Sequence, residues 1–153
     1  MDKKIVTLTV NPAVDKSASV GRVMPDAKLR CEDQVLHPGG GGINVSRAMA
    51  KLGGVSLALH CSGGPSGKTL SGLLEREGVE RRRVEVEGHT RENLTVFENE
   101  TRRQYRFNMP GPELGEGEWN ECLAELASAT RDADYLVASG SLPPGAPDDF
   151  YAK

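Results

Sequence analysis

Short apolar runs alternate with helical patterns along most of the chain, and this alternation limits the possible folds more than any other feature of the sequence. The strand-like runs lie at 5–10, 56–61, 79–86 and 135–138. Apolar residues recurring at intervals of three and four indicate amphipathic helices at 42–52, around 70–74 and around 119–126. Because strands that alternate with helices form mostly parallel sheets covered by helices, the sequence predicts an α/β sandwich.

Two segments, 17–37 and 91–109, depart from this rhythm. They are extended and polar and have no helical period. In the second, Tyr105 and Phe107 alternate with Arg106, which places the arginine on the opposite face of a strand. We predict that the two segments form a small separate sheet, and that the α/β core is made of the remaining ranges, 1–16, 38–90 and 110–153.

Charge and cysteine content limit the possible partners and the compartment. The net charge is −3, which favours neither nucleic acid nor an anionic membrane surface as a partner. The three cysteines, Cys31, Cys61 and Cys122, are too far apart for a zinc motif or a disulfide framework. The apolar run at the N-terminus is too short for a signal peptide or a spanning helix. We therefore expect a cytoplasmic protein with reduced cysteines.

Four consecutive glycines, Gly39, Gly40, Gly41 and Gly42, directly precede the first predicted helix. Glycine loses more conformational entropy on folding than any other residue, so four together suggest that something approaches the backbone closely. The N–H groups at a helix N-terminus suit a polar or anionic ligand, and Asn44 in the first turn can donate and accept hydrogen bonds. The alternative is a loop that is merely flexible.

A second glycine-rich stretch, SGGPSGKT at 62–69, nearly matches the phosphate-binding P-loop. Its first position is Ser62 instead of glycine, and no acidic strand of the kind that completes such a site is evident. We favour a plain turn between a strand and a helix, with Lys68 in water.

Several motifs occur in one order along the chain: TVNPAVDKS, KLRCEDQVLHPGGGGINVSRAMAKLGG, TREN, QYRFNMPGP and ASGSLPPG. In this combination the chain resembles the ribokinase-like sugar kinases of the PfkB group, over about the first half of a family member. The details KLRC and GGGG resemble its minor-type ATP-dependent 6-phosphofructokinase branch. Relatives that act on fructose 1-phosphate or tagatose 6-phosphate usually have a lysine within the glycine motif, and this chain has none.

The resemblance implies a ribokinase-like three-layer α/β/α sandwich with a β-sheet lid over the sugar, formed by 17–37 and 91–109. It implies that the lid also carries a homodimer interface. The residues that it assigns to the sugar phosphate are Asp15, Lys28, Arg30, Gly39, Gly40, Gly41, Gly42, Asn44, Arg91, Arg106 and Ser141.

Within this set the resemblance assigns different roles. Asp15 accepts from sugar hydroxyls, which are donors that a carboxylate can bind. The four lid cations meet the substrate phosphate, and Arg91 reaches the neighbouring subunit's site. Each residue also has a structural alternative. Asp15 and Ser141 would stabilise turns, and the arginines would be solvated surface charges.

For the whole protein, the resemblance implies transfer of the γ-phosphoryl group of ATP to fructose 6-phosphate, with Mg²⁺. The alternatives are a 1-phosphofructokinase or tagatose-6-phosphate kinase of the same family, and a non-catalytic sugar-binding or dimerisation module. The family's GAGD motif, with its catalytic aspartate, and its N-x-x-E motif are absent from the sequence. We therefore expect an N-terminal fragment, inactive on its own, that ends in a helix begun at 148–149.

Overall fold

The structure is a computed structural model that describes residues 3–153, so the first two positions of the predicted core range 1–16 lie outside it. The helices are α1 (Gly41–Lys51), α2 (Gly64–Arg76) and α3 (Glu116–Thr130). The strands are β1 (Ile5–Thr9), β2 (Ala13–Val20), β3 (Glu32–Gly39), β4 (Leu57–Ser62), β5 (Glu80–Glu85), β6 (Arg91–Glu98), β7 (Gln104–Phe107) and β8 (Tyr135–Ala138).

The first sheet has the strand order β5-β4-β1-β8, and all its neighbouring strands are parallel. Its strands are the four strand-like runs of the sequence, and each connection between consecutive ones contains a helix. Three of the runs are mainly apolar, whereas β5 is mostly charged and has Val84 as its buried residue. In the register, Leu8 of β1 lies between Leu59 of β4 and Ala138 of β8. The expected α/β class with a mostly parallel sheet is confirmed.

Helices cover both faces of this sheet, and the side-chain alternation along each strand explains how. On β4, Leu59 and Cys61 belong to a buried cluster with Cys122 of α3. Ala58, the residue before Leu59, faces the other way and packs with Ile43 of α1 and with α2. Because successive side chains of a strand point to opposite faces, one apolar run supplies both layers of the core.

The second sheet has the order β3-β2-β6-β7, in which β2 and β6 are parallel and the outer pairs are antiparallel. Its strands come from the two polar segments that depart from the α/β rhythm. The strands run beyond 17–37 at both ends, because β2 already begins at Ala13 and β3 continues to Gly39. The turn after β1 therefore leads directly into this sheet.

Two helix boundaries differ from the sequence-based expectation. The helix α2 begins at Gly64 with proline in its first turn, so most of the SGGPSGKT stretch is helical. At the C-terminal end, the helix expected from 148–149 is a short 3₁₀ turn, Phe150–Ala152, whose Phe150 ring is buried. Among the helices of residues 3–153, none is long and apolar enough to cross a membrane.

Candidate functional site

A polar cleft of about 550 Å³ lies between the first turn of α1 and one face of the second sheet. Strand pairing brings this face together, since Asp15 is opposite His37 and Asn93 in the register and Thr95 is opposite Arg106. Its lining residues are Asp15, Lys16, Ser17, His37, Asn44, Arg47, Asn93, Thr95, Gln104, Arg106 and Asn108. Three of the residues assigned from the sequence therefore share one cleft, namely Asp15, Asn44 and Arg106.

Asp15 is held by the amide of Asn93 on the neighbouring strand. Asn93 Nδ2 donates to Asp15 Oδ1 at 2.8 Å, and Asn93 Oδ1 accepts from the Met109 N–H at 3.0 Å. Gly39 lies beside the same carboxylate, since a Cβ at this position would be 2.6 Å from Asp15 Cγ. The missing side chain of Gly39 thus leaves room for the Asp15 carboxylate.

Gly41 and Gly42 are approached closely by the protein's own backbone. A Cβ on Gly41 would lie 2.7 Å from the Ser139 carbonyl carbon, and one on Gly42 would lie 2.8 Å from the carbonyl carbon of Leu8. Larger residues here would separate α1 from the ends of β1 and β8. Gly40 has a φ of +123°, which L side chains rarely adopt.

The first N–H groups of α1 are already bonded within the protein. Gly42 N–H donates to the Ser139 carbonyl at 3.1 Å, and Ile43 N–H donates to Thr9 Oγ1 at 2.9 Å. An unpaired helix N-terminus would offer these groups to an anion. Here they fasten α1 to the sheet, so close packing of α1 accounts for much of the glycine run.

Asn44 lies in the first turn of α1, with its side chain beside Arg47. The Arg47 guanidinium donates to Asn44 Oδ1 at 3.2 Å, to the Pro38 carbonyl at 3.0 Å and, through two nitrogens, to the Glu77 carboxylate. The hydrogen bond from Arg47 holds the pKa of Glu77 below its usual value, so the pair is ionised at neutral pH.

Arg106 is exposed on β7, and its guanidinium donates to Gln104 Oε1 at 2.9 Å. The period-two alternation of β7 turns it towards the cleft. Arg106 thus supplies a guanidinium cation to this wall of the cleft.

Arg91 and Ser141 take part in the turn that follows β1. Arg91 donates to the carbonyls of Asn11 at 3.0 Å and Met109 at 3.3 Å, and its buried Nε has no partner among residues 3–153. Ser141 Oγ accepts from Asn11 Nδ2 at 3.2 Å. Both contacts stabilise the chain between β1 and β2, and neither residue lines the cleft.

Lys28 and Arg30 are exposed on the loop between β2 and β3, away from the residues that line the cleft. The start of this loop is fixed to β6, because the buried Glu98 carboxylate accepts from the Val23 N–H at 2.7 Å. The structure therefore does not bring these two cations together with Asp15 and Asn44.

Asn93 and Arg47 were not identified from the sequence, although both line the cleft. Asn93 is part of the TREN motif, and two-residue alternation from Arg91 places it on the same face as that arginine. No comparable signal marks Arg47, since its partner Glu77 is 30 residues away at the end of another helix.

The SGGPSGKT stretch does not fit a nucleotide phosphate. In the SGGPSGKT stretch the Gly63 N–H donates to Thr90 Oγ1 at 3.1 Å, and the Gly67 N–H donates to the Gly63 carbonyl at 3.0 Å. A P-loop needs such groups free for phosphate. Within residues 3–153, no cluster of three His, Cys, Asp or Glu side chains is arranged to hold a metal ion. We therefore derive no catalytic step through ATP or Mg²⁺ from this chain.

Comparison with known proteins gives consistent matches along the whole chain. Residues 5–153 match the pfkB family carbohydrate kinase model. ATP-dependent 6-phosphofructokinase isozyme 2 of Mycobacterium tuberculosis is 48% identical over 150 residues, which is 98% of this chain and 44% of that protein. The enzyme of the same name from Escherichia coli is 44% identical over 142 residues, covering 93% of this chain and 46% of that protein.

A solved structure, phosphofructokinase-2 from Escherichia coli in complex with fructose-6-phosphate, superimposes with a TM-score of 0.91 at 41% identity. The match covers 99% of this chain and 49% of that one. It confirms the ribokinase-like fold expected from the sequence motifs. The chain spans about half the length of the relatives that it matches.

Proposed function

The chain belongs to the pfkB family of carbohydrate kinases, and from this premise we propose that it carries the sugar-phosphate side of a 6-phosphofructokinase. The complete protein would transfer the γ-phosphoryl group of ATP, with Mg²⁺, to fructose 6-phosphate in the cytoplasm, as a step of glycolysis. The observation that carries the proposal is the cleft shared by Asp15, Asn44 and Arg106. It combines a hydroxyl acceptor, an amide and a cation, which together suit a phosphorylated sugar.

In this proposal Asp15 accepts from a sugar hydroxyl, and its second oxygen is the free acceptor because Asn93 bonds the first. Asn44 contacts the same part of the sugar from α1. Arg106 binds the phosphate, for which a guanidinium has the appropriate charge and geometry. The segment Gly39–Gly42 brings the backbone close to the sugar, and Ser141 contributes from the loop after β8.

The second sheet, with the segments 17–37 and 91–109, would act as the lid over the sugar and as the surface of a homodimer. Exposed apolar side chains support a covered surface, since Leu94 and Phe107 pair across β6 and β7 and are 36% and 48% exposed. In a dimer, Lys28 and Arg30 from the loop between β2 and β3, and Arg91 at the start of β6, would complete a phosphate site.

The test compares substrates of the complete protein that carries this sequence. We expect turnover with fructose 6-phosphate to exceed turnover with fructose 1-phosphate and tagatose 6-phosphate. Preference for either of the latter would instead identify the corresponding kinase of the same family. The Asp15→Ala variant would lose the hydrogen bond from the sugar hydroxyl to the charged carboxylate. Its KM for the sugar should therefore rise about 10- to 100-fold. The control, Asp132→Ala, removes an exposed carboxylate paired only loosely, at 3.8 Å, with Lys4.

The isolated 153-residue chain gives a separate test. We expect it to bind fructose 6-phosphate without turnover, because the catalytic base and the ATP site belong to motifs that it does not contain. Sugar-dependent ATP consumption by this chain would contradict that expectation. Binding that is unaffected by Asp15→Ala would favour a sugar-binding or dimerisation module of a different kind.

A further inference from the structure

The Arg47 side chain connects the end of α2 to the cleft through a continuous set of hydrogen bonds. Its Nε and Nη2 donate to the two carboxylate oxygens of Glu77 at 2.6 and 2.8 Å. Its Nη1 donates to the Pro38 carbonyl at 3.0 Å and to Asn44 Oδ1 at 3.2 Å. A guanidinium bonded in this forked way has little rotational freedom left.

The Arg47–Glu77 pair is well shielded from water. The two side chains are 16% and 26% exposed, respectively. Exposed ion pairs have little energetic effect, whereas a shielded bidentate pair holds its partners in one geometry. The pair therefore fixes the position of the guanidinium that faces Asn44.

The chemistry of arginine settles which way the Asn44 amide points. A guanidinium carries only donors, so the amide atom facing it is the oxygen. The Asn44 NH₂ group is then the free end of the side chain, and Asn44 lines the cleft. Without Arg47, the Asn44 amide could turn either its NH₂ group or its oxygen towards the cleft.

We propose that Arg47, held by Glu77, is a positioning residue that makes Asn44 a hydrogen-bond donor to a sugar hydroxyl. This inference rests on the proposed function and specifies that Asn44 is the donor, and the sugar hydroxyl the acceptor, of the hydrogen bond between them. Asp15 presents an acceptor to the same cleft. Asn44 and Asp15 together therefore match sugar hydroxyls, which can both accept and donate hydrogen bonds. The site would then discriminate against analogues in which the contacted hydroxyl is replaced by hydrogen.

The experiment uses the complete protein with Arg47→Met, which keeps an unbranched apolar stem and removes the guanidinium donors. KM and kcat are measured with fructose 6-phosphate and with its monodeoxy analogues. We expect KM for the parent sugar to rise about 10-fold, the loss of one hydrogen bond, with KM for ATP unchanged. For the analogue that lacks the hydroxyl contacted by Asn44, KM should be the same in Arg47→Met and in the unmodified protein. With this analogue neither protein can form the hydrogen bond from Asn44.

Two further variants keep the test decisive if Arg47→Met folds poorly. Glu77→Gln retains a partner for Arg47 but removes its charge, and should raise KM in the same direction to a smaller extent. Arg81→Met is the matched control. Arg81, on β5, donates to Glu75 near the end of α2 at 3.0 Å, and neither residue lines the cleft. Its KM values should equal those of the unmodified protein.

The two hypotheses fail in different ways. An unmodified protein that phosphorylates no hexose phosphate would overturn the proposed function, and this role of Arg47 with it. Normal turnover together with an unchanged KM in Arg47→Met would overturn the role of Arg47 alone. An equal rise in KM for the parent sugar and every deoxy analogue would also overturn it, because that pattern indicates general loosening of the site.

Discussion

Asn93 and Asp15 are joined by a 2.8 Å hydrogen bond between the two central strands of the second sheet, although 78 residues separate them in the chain. The same amide accepts from the Met109 N–H at 3.0 Å. A carboxylate only accepts and a main-chain N–H only donates, so the amide orientation is fixed at both ends. One side chain thus holds the carboxylate of the candidate site and the chain that leaves β7.

Replacing Asn93 with alanine should therefore weaken sugar-phosphate binding without removing any group that contacts the sugar. Asp15 would lose the partner that restricts its rotamers, and a hydrogen bond to a charged group contributes about 1.5–3 kcal/mol. We expect Kd for fructose 6-phosphate, measured by calorimetry, to rise about 10-fold or more. The control Asn99→Ala changes an exposed residue of the β6–β7 turn. Equal affinities of the two variants would contradict this role of Asn93.

Local patterns in the sequence were sufficient for the first sheet and for one wall of the site. The apolar run 135–138 is β8 as expected, but it is the edge strand of the first sheet, and Tyr135 and Leu136 are exposed instead of buried. The alternation of Arg106 with Tyr105 and Phe107 also predicts the strand and the face on which Arg106 lies. Both inferences depend only on neighbouring residues.

Contacts between distant segments could not be predicted in this way. The bond from Asn93 to Asp15 depends on the register of β2 and β6, and the one from Arg47 to Glu77 depends on how α1 lies against α2. The glycine run illustrates the same limit. Its composition indicates close approach at Gly41 and Gly42, but only the fold identifies the backbone of β1 and β8 as the approaching group.

Two glycine-to-alanine changes in helices should have opposite effects on stability. A Cβ at Gly42 would lie 2.8 Å from both the Leu8 carbonyl carbon and Thr9 Oγ1, so Gly42→Ala should lower the free energy of unfolding by about 1–3 kcal/mol. At Gly72, within α2, a Cβ would have no atom within 4 Å. Gly72→Ala should therefore stabilise the protein by about 0.5–1 kcal/mol. Urea denaturation measures both, and a stabilising Gly42→Ala would show that α1 is not packed as described.

The apolar pair Leu94 and Phe107 should determine self-association through the second sheet. Phe107→Glu would place a charge in the proposed dimer surface, where it could not keep its hydration. We expect sedimentation velocity to show a shift towards monomer. Leu52→Glu is the matched control, because Leu52 is 87% exposed at the end of α1, outside this sheet. An unchanged oligomeric state in Phe107→Glu would place the interface elsewhere.

The stability of the protein should depend on pH through His60, on β4. Its ring is fully buried, and neither nitrogen has a partner among residues 3–153. Burial, followed by the charges of Arg83 and Arg81, lowers its pKa from 6.5 to about 4. Between these values the unfolded chain binds a proton at this position and the folded protein does not, so the free energy of unfolding falls as the pH is lowered.

The difference between the two pKa values corresponds to about 3 kcal/mol of stability that is present above pH 6.5 and is lost progressively down to about pH 4. His60→Leu should remove this contribution to the slope of stability against pH. At pH 7 it should have little effect or stabilise, because an apolar side chain leaves no buried nitrogen without a partner. Urea titrations at intervals between pH 4 and 7.5 measure the slope. The control is His37→Leu, which changes an exposed histidine and should retain the slope of the unmodified protein. If His60→Leu also retained that slope, other groups would govern the loss of stability in acid.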